Sequence, residues 1–327
     1  PLAQVDQPTS LEVCEGVIVS DINFSTLNTV GITTYSWTND NSNIGLAPNG
    51  PGAIGSFTVQ NSTGTKQVAT ITVTPTFEYD GVPCIGSPKT FTITVNPSAQ
   101  VNPIVSDTFC AGDLIPEIKF TSTTVGTTTY AWTNENTSIG SILASGTGNI
   151  PAFSAINTGT IPQIATITVT PTFTDNGFSC PGPEETFTIT VNPVAEVDQP
   201  NDEVFCVSEV AVINFTTSNT VGTTTYDWEN SNTAIGLTNL NGSGNSITFT
   251  TTNTGTTPIT STLIVTPTFS YNGVDCVGPN KVFTITVNPN ADMIPPASQI
   301  LCDGESTAVT FNTLNSVGTT TYTWTNN

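Results

Sequence analysis

The sequence predicts an all-β protein made of tandem β-sandwich modules, and three observations support this prediction. A Tyr-x-Trp phrase occurs four times, with Trp37, Trp132, Trp228 and Trp324 spaced 95, 96 and 96 residues apart. Within each copy, apolar and polar residues alternate with a period of two. No window of useful length carries the 3.6-residue apolar stripe of an amphipathic helix. Landmarks that recur in phase indicate a repeat of about 96 residues.

The repeat divides the chain of 327 residues into three complete modules and the first part of a fourth. Cys14, Cys110, Cys206 and Cys302 also step by 96 residues each time. A unit of this size can bury its own core, so we expect separate domains joined at the VNP segments. The predicted domains are residues 1–97, 98–193, 194–289 and 290–327. Because the last segment is too short to close a sandwich, we expect the chain to continue beyond it.

Each complete module is predicted to contain strands with one inward face and one wet face. In ATITVTPTF, residues 165–173, Ile167 and Val169 alternate with threonine, and TFTITVNP at 186–193 repeats the pattern. The turn-rich segment between these strands predicts a hairpin. EIKFT and TTYAWTN are predicted to form a second pair around a VGT turn. Six to eight short strands in about 96 residues predict an immunoglobulin-like β-sandwich.

The Tyr-x-Trp phrase is predicted to supply the core of each sandwich. Tyr130 and Trp132 are two residues apart on one strand, so their side chains point to the same face. A tryptophan needed for packing must recur in every module, whereas a surface aromatic residue that stacks on a sugar need not. The predicted core aromatic residues are Tyr35, Trp37, Tyr130, Trp132, Tyr226, Trp228, Tyr322 and Trp324.

The chain has seven cysteines without metal-site spacing, which predicts disulfides and an extracytoplasmic location. Two pairings are open. The favoured one joins cysteines 70 residues apart within a module and leaves Cys302 unpaired: Cys14–Cys84, Cys110–Cys180 and Cys206–Cys276. The alternative joins cysteines 26 residues apart and leaves Cys14 alone: Cys84–Cys110, Cys180–Cys206 and Cys276–Cys302. We favour the first because the last strand carries the chain about 25–30 Å away from the hairpin loop before the next module begins.

The composition excludes several classes of function. The chain has four lysines, no arginine and a formal charge of −21. This composition excludes a phosphate clamp, a nucleic-acid groove and attraction to anionic membranes. The absence of histidine removes histidine-dependent catalytic triads and histidine metal sites. Acidic residues do not recur as pairs across the modules, which argues against a two-carboxylate site. We therefore predict no enzyme and no catalytic residue.

No cofactor is predicted, and calcium at the joints between modules is the one candidate considered. The joint before the third module carries Glu196, Asp198, Asp202 and Glu203, whose oxygens are of the type that Ca²⁺ binds. The equivalent joint before the second module retains only Asp107. A solvated acidic surface that keeps modules apart is the favoured interpretation.

The combined landmarks resemble the PKD-like, immunoglobulin-fold repeats of giant Bacteroidota cell-surface adhesins, including those of gliding motility. The shared landmarks are a cysteine before the second strand, YxW on the next strand, TVTPTF, a loop cysteine after an NG-type turn, and TFTITVNP. The resemblance implies a sandwich fold and export by the type IX secretion system. It also implies a role in surface attachment and a position outside the cell, attached to the outer membrane.

Together these observations predict a non-catalytic stalk of a long extracellular adhesin or surface filament. The expected partners are neighbouring repeats of the same chain, with surface glycans or other cell-surface and secretion components as candidates. Nucleic acid and direct membrane insertion are not expected. Ligand binding by the variable segments 45–55, 140–152 and 236–246 is one alternative. Accessory modules of a larger secreted enzyme are another.

Overall fold

The computed structural model describes residues 2–326 and shows an all-β protein in which each of three repeats has eight strands. The first has β1 (Leu11–Cys14), β2 (Ile18–Val19), β3 (Ile32–Asn39), β4 (Asn49–Pro51), β5 (Phe57–Thr58), β6 (Gln67–Tyr79), β7 (Val82–Ile85) and β8 (Lys89–Asn96). The second has β9 (Asp107–Cys110), β10 (Leu114–Ile115), β11 (Thr127–Asn134), β12 (Ser145–Thr147), β13 (Phe153–Ser154), β14 (Gln163–Asp175), β15 (Phe178–Pro181) and β16 (Glu185–Asn192). The third has β17 (Glu203–Cys206), β18 (Val210–Asn214), β19 (Thr223–Asn230), β20 (Asn241–Ser243), β21 (Ser246–Thr250), β22 (Ile259–Tyr271), β23 (Val274–Val277) and β24 (Lys281–Asn288).

Within residues 2–326, helix is confined to one short 3₁₀ turn per repeat, at Ser42–Ile44, Thr137–Ile139 and Thr233–Ile235. Beyond the third repeat, β25 (Met293–Ile294) pairs with β26 (Asn312–Thr313). Within residues 2–326 no helix is long and apolar enough to span a bilayer. The bounds of the four predicted domains stay a prediction.

Each repeat packs a six-stranded sheet against a two-stranded one. In the first repeat the large sheet has the order β1-β8-β6-β3-β4, with β7 beside β6, and β2 pairs with β5 in the small sheet. The other two repeats have the same order. β1 runs parallel to β8, whereas the remaining pairs are antiparallel. The end of the first strand therefore lies beside the end of the last strand, where the next repeat begins.

The predicted hairpin of the second repeat is present, but the second predicted strand pair is wrong. β14 pairs with β16 as expected, while EIKFT does not pair with β11. Instead, Ile118 in EIKFT forms a bridge with Ile150. Phe120 packs against Tyr130 with ring centroids 5.6 Å apart. EIKFT and β11 lie in different layers of the sandwich, because the VGT turn leads the chain from one layer to the other. They contact each other through core side chains.

The tryptophans Trp37, Trp132 and Trp228 lie in the cores of the three repeats, each between 5% and 7% exposed. Each ring lies across a glycine of the neighbouring edge strand. A Cβ at Gly50 would lie 2.4 Å from Cζ2 of Trp37, and the matching glycines are as close to their own tryptophans. Only glycine leaves room for the ring at this edge position.

The prediction that Tyr322 and Trp324 are core residues is wrong for this segment. Trp324 is 71% exposed, and Tyr322 is half-buried. The β25–β26 pair is two residues long and provides no sheet to cover the indole. Tyr322 stacks on Phe311 with ring centroids 5.6 Å apart, and a Phe–Tyr contact at a similar distance is present in each complete repeat.

The proline of the TVTPTF phrase lies inside the longest strand of each repeat. β6 pairs with β8 up to Val73↔Lys89 and with β7 from Thr76↔Ile85. Pro75 lies between these two ladders, and its carbonyl accepts a hydrogen bond from the backbone N–H of Gly86 at 2.9 Å. Pro75 is also in register with Tyr35 in the β3–β6 ladder, but its carbonyl and the position of its missing N–H are directed away from β3. A residue without an N–H is tolerated here because that side is the gap between β8 and β7.

Candidate functional site

Both disulfides of the structure join one repeat to the next. Cys14 at the end of β1 is bonded to Cys180 in β15, and Cys110 at the end of β9 is bonded to Cys276 in β23. Each bond spans 166 residues of sequence and joins Cα atoms 5.5 Å apart. The same joint is therefore built twice, from the end of a first strand and the hairpin of the following repeat.

Neither pairing considered from the sequence is present. The favoured pairs Cys14–Cys84, Cys110–Cys180 and Cys206–Cys276 are wrong, and so is the alternative set Cys84–Cys110, Cys180–Cys206 and Cys276–Cys302. In the first repeat, Cys14 is in register with Asn96 at one end of the large sheet. Cys84 is in register with Phe77 towards the opposite end. At about 3.3 Å per residue along β6, these positions are more than about 30 Å apart.

Three cysteines are free and exposed: Cys84, Cys206 and Cys302. Cys302 was expected to be unpaired. Cys84 occupies the hairpin position that Cys180 and Cys276 occupy in the later repeats, while Cys206 occupies the first-strand position of Cys14 and Cys110. The thiols of Cys84 and Cys206 thus occupy the two kinds of position that are bonded to each other in the joints.

The first joint has a small apolar cluster around its disulfide. Cys180 is fully buried with Ala99 and Phe173, and Cys14 of the preceding repeat packs against them. A Cβ at Gly182 would lie 1.7 Å from the carbonyl oxygen of Ala99. This close approach holds the start of the second repeat against its own hairpin loop. The same contact recurs in the other repeats, between Gly86 and Ala3 and between Gly278 and Ala195.

An ion pair supports the first joint. The Lys66 ammonium contacts the carboxylate of Asp175 in the second repeat, and it donates to Glu12 Oε1 of its own repeat at 2.9 Å. Hydrogen bonds to Asp175 and then Glu12 raise the pKa of Lys66. Asn96 Nδ2 also donates to Glu12 Oε1 at 3.0 Å, so one carboxylate organises both donors.

An asparagine takes the corresponding place in the second joint. Asn192 is fully buried, and its Nδ2 donates to the backbone carbonyls of Tyr271 and Val274 at 3.1 and 3.3 Å. These carbonyls flank the turn of the β22–β23 hairpin. The position matching Lys66 in the second repeat is Pro162, so no ammonium is available there. Each joint therefore has a polar bridge beside its disulfide, built from different residues.

Backbone hydrogen bonds add a contact on the loop side of each joint. Val125 N–H donates to Gly64 O at 2.9 Å in the first joint, and Thr220 N–H donates to Thr160 O at 3.0 Å in the second. Contacts on the hairpin side and on the loop side oppose bending of one repeat against the next. The arrangement can transmit force across a joint.

Sequence reasoning missed a buried asparagine that supports these loops. Asn157 Nδ2 donates to Ile161 O in the loop and to Val191 O in β16, both at 2.8 Å. The equivalent residues Asn61 and Asn253 make the same pair of bonds. The phrases NSTGT, NTGT and NTGT that contain these residues recur in phase, and this recurrence was the available signal.

The other candidate positions are not brought together. Each variable segment contains the edge strand that carries the glycine beneath the tryptophan ring: β4, β12 or β20. At the joint before the third repeat, Glu196 accepts from Ser218, Asp198 accepts from Thr216 and Asp202 accepts from the Thr284 N–H, each through its own hydrogen bond. In the described part of the chain, His, Cys, Asp and Glu side chains form no group of three or more that could hold a metal ion.

Comparison with known protein families gives one match, in the first repeat. Residues 11–99 match the profile of the PKD-like domain family. No curated protein matches the chain. Among solved structures, the I-band fragment I67–I69 of titin is 9% identical, covering 88% of this chain and 98% of that chain with a TM-score of 0.43. Mouse cadherin-23 EC22–24 is 14% identical, covering 87% and 96% with a TM-score of 0.36.

At these identities and TM-scores the solved structures support no conclusion about this chain. The chain is an all-β array of sandwich repeats, and the match to the PKD-like domain family covers the first of them. The disulfides agree with a secreted or surface protein. The joints between repeats are therefore the candidate functional sites of the chain.

Proposed function

We propose that this chain is a non-catalytic stalk whose repeats are covalently locked to one another. The observation that supports this proposal is the stagger of the disulfides, Cys14–Cys180 and Cys110–Cys276, which overlap along the sequence between residues 110 and 180. A disulfide within one domain limits the extension of that domain alone. Overlapping disulfides instead limit the extension of the whole array, which suits a structure that carries tension.

The limit follows from the shortest covalent path through the array. Along the backbone, 262 residues separate Cys14 from Cys276. With both disulfides intact, tension passes from Cys14 to Cys180, back along 70 residues to Cys110, and across to Cys276. At about 3.4 Å per extended residue, the maximum length falls from about 900 Å to about 240 Å. Even if every repeat unfolds, the oxidised segment from Cys14 to Cys276 cannot extend beyond this shorter length.

The resemblance to adhesin repeats supports the wider setting of the proposal. The stalk belongs to a long adhesin or surface filament of the gliding-motility type, exported by type IX secretion in a member of the Bacteroidota and attached to the outer membrane. Its partners are neighbouring repeats, with surface glycans or other cell-surface components as further candidates. It needs no cofactor, and its high negative charge keeps neighbouring stalks apart.

The test is single-molecule stretching of the whole chain held by its two ends, before and after addition of a thiol reductant. Reduction is expected to add 192 residues of contour between Cys14 and Cys276, or about 650 Å at full extension. The Cys84→Ser variant is the matched control, because Cys84 is free and its loss leaves both extensions unchanged. An oxidised chain that stretches to its full backbone length would contradict the proposal.

A further inference from the structure

A groove lies on the open side of the first sandwich, between the edges of its two sheets. β1 is the outer strand of the large sheet, and β2 pairs only with β5 in the small one. The groove between them, called here the β1–β2 groove, has a volume of about 600 Å³. Four half-buried side chains line it and pack against the core: Leu11, Val13, Ile22 and Phe24. The floor of the groove is therefore apolar and open to solvent.

The groove is open because the first repeat has a small residue where the other repeats have a large one. Val13 in β1 corresponds to Phe109 in β9 and to Phe205 in β17. Both phenylalanines pack against the cores of their own repeats, as Val13 does in the first. The strand order of the large sheet is the same in all three repeats. The valine thus leaves free the space that a phenylalanine ring fills elsewhere.

The exposure of one aromatic ring on the floor shows this difference. Phe24 is half-buried, whereas its equivalents Phe120 and Phe215 are only 6% and 5% exposed. The core clusters that bury Phe120 and Phe215 consist of residues of their own repeats. The cover of this ring is therefore supplied within a repeat, and a neighbouring repeat is not needed for it.

Neighbouring repeats do not reach this side of the sandwich. Ile18 at the edge of the groove is 69% exposed, and its equivalent Leu114 is also 69% exposed although the second repeat has a neighbour at each end. Val105, which corresponds to Thr9 of the groove, is 85% exposed. The groove is therefore a feature of the side of the first repeat and does not belong to a joint.

Two carboxylates lie on the rim of the groove. Asp6 Oδ2 accepts a hydrogen bond from Ser25 Oγ at 2.6 Å, and Asp21 Oδ1 accepts from the backbone N–H of Ser56 at 2.6 Å. Asp21 and Ser25 are four positions apart in the sequence, which corresponds to about 13 Å of extended backbone. The described residues that line the groove include no lysine. The rim is thus negative towards both ends of an apolar floor.

We propose that the β1–β2 groove binds an extended segment of another protein, with apolar side chains at alternate positions and a lysine or arginine near each end. The outer edges of β1 and β2 present backbone groups that their own sheets do not use, and an added strand pairs with such groups. Alternate side chains of an added strand point to one side, here onto the apolar floor. The inference goes beyond the stalk function, because it gives the stalk a lateral attachment point.

Two other occupants match the groove less well. A second copy of the chain carries a formal charge of −21, so the two copies repel each other. Its four lysines, Lys66, Lys89, Lys119 and Lys281, also include no pair spaced to reach both carboxylates from one strand. A small apolar molecule would cover the floor but would leave the strand edges and the carboxylates without partners.

The test is a titration of the full chain with the peptide Lys-Val-Thr-Val-Lys, blocked at both ends and followed by amide chemical shifts. Saturable shifts are expected at the amides of β1 and β2. Val13→Phe is expected to weaken binding by at least about tenfold, because the added ring occupies the volume that the peptide needs. The variant is expected to fold, since phenylalanine occupies the equivalent position in the other two repeats. Val204→Phe is the matched control, because it adds the same ring to β17 at an exposed position.

The charge of the rim is tested with the double variant Asp6→Asn and Asp21→Asn. Asparagine oxygens can still accept the hydrogen bonds from Ser25 and Ser56. We expect the variant to bind the peptide severalfold more weakly, and we expect added salt to weaken binding to the unsubstituted chain. Unchanged affinity in both experiments would overturn the basic character given to the partner.

Several results would overturn the proposal as a whole. The peptide Lys-Val-Val-Thr-Lys has the same composition without the alternation, and equal binding of both peptides would exclude an added strand. Equal binding to the Val13→Phe variant would exclude the groove. Toluene binding without peptide binding would assign the groove to a small molecule, and self-association that Val13→Phe abolishes would assign it to a second copy. None of these results affects the stalk proposal, because the stretching experiment concerns the disulfides.

Discussion

The tryptophan of each repeat packs against a strand position that only glycine can fill. Trp132 is in register with Gly146, and a Cβ there would lie 2.3 Å from the indole. The indole covers the edge strand and reaches the core between the two sheets. This pairing explains why a variable segment retains one fixed glycine in every complete repeat, which the sequence analysis did not recognise.

The substitution Trp132→Ala is expected to destabilise the second repeat by about 3–5 kcal/mol, because it empties a large buried site. Hydrogen exchange at the amides of β11 and β14 would measure the loss locally. Trp324→Ala is the matched control in the same sequence phrase. Since Trp324 is largely exposed, its loss is expected to change stability by less than about 0.5 kcal/mol. Equal effects of the two substitutions would contradict the assignment of the core.

Three tyrosines beside the tryptophans are expected to ionise at a higher pH than they do in the unfolded chain. Burial raises the pKa of Tyr35, Tyr130 and Tyr226, so the folded state favours the neutral phenol. Their contribution to the free energy of unfolding is fully present below the unfolded pKa of about 10 and is lost as pH rises through the folded value. Phenolate absorbance should show three of the six tyrosines ionising above the range of the urea-unfolded chain. A folded chain whose tyrosines all ionise over the same pH range as those of the urea-unfolded chain would contradict this expectation.

At the scale of elements, a period of two in the sequence was enough to predict the long hairpin. Ile167 and Val169 face the core, and β14 pairs with β16 as expected. The parallel pairing of the first strand with the last could not be predicted, because no turn or local pattern marks a contact between strands that far apart. That one contact places Cys14 and Cys84 at opposite ends of a repeat. Both predicted disulfide sets failed for this reason.

The asparagine of the NTGT phrase is expected to hold the loop that contacts the next repeat. Asn157→Ala leaves the carbonyls of Ile161 and Val191 without their side-chain donor. The expected loss is about 2 kcal/mol or more, measured by hydrogen exchange at the end of β16. Thr158→Ala is the control, because Thr158 is exposed next to it. A loss as small as that of the control would contradict the role given to Asn157.

At the scale of the whole molecule, the overlapping disulfides make the extension of one repeat depend on its neighbours. In the stretched, oxidised chain the shortest covalent path, here called the taut path, runs backward through the second repeat from Cys180 to Cys110. Most of the first and third repeats lies outside this path and carries no tension at full extension. Tension that enters at either end therefore bypasses most of their folded structure. A row of independently crosslinked domains would have no such bypass between domains.

The substitution Cys180→Ser is expected to lengthen the taut path by 26 residues, from 70 to 96, because the path then uses only the Cys110–Cys276 bond. The increase is about 90 Å at full extension in single-molecule stretching. Bonds within each repeat would instead give an increase of 70 residues, or about 240 Å, for the same substitution. The increment thus distinguishes the two pairings in an intact chain.

The most direct test of the account is disulfide mapping of the purified, unreduced chain. Free thiols are alkylated at low pH, where exchange is suppressed, and the chain is digested with an acid protease for mass spectrometry. We expect linked peptides for Cys14–Cys180 and Cys110–Cys276, with Cys84, Cys206 and Cys302 alkylated. Linked peptides for Cys14–Cys84 or Cys110–Cys180 would contradict it, because the repeats would then be crosslinked singly and the joints would not be locked.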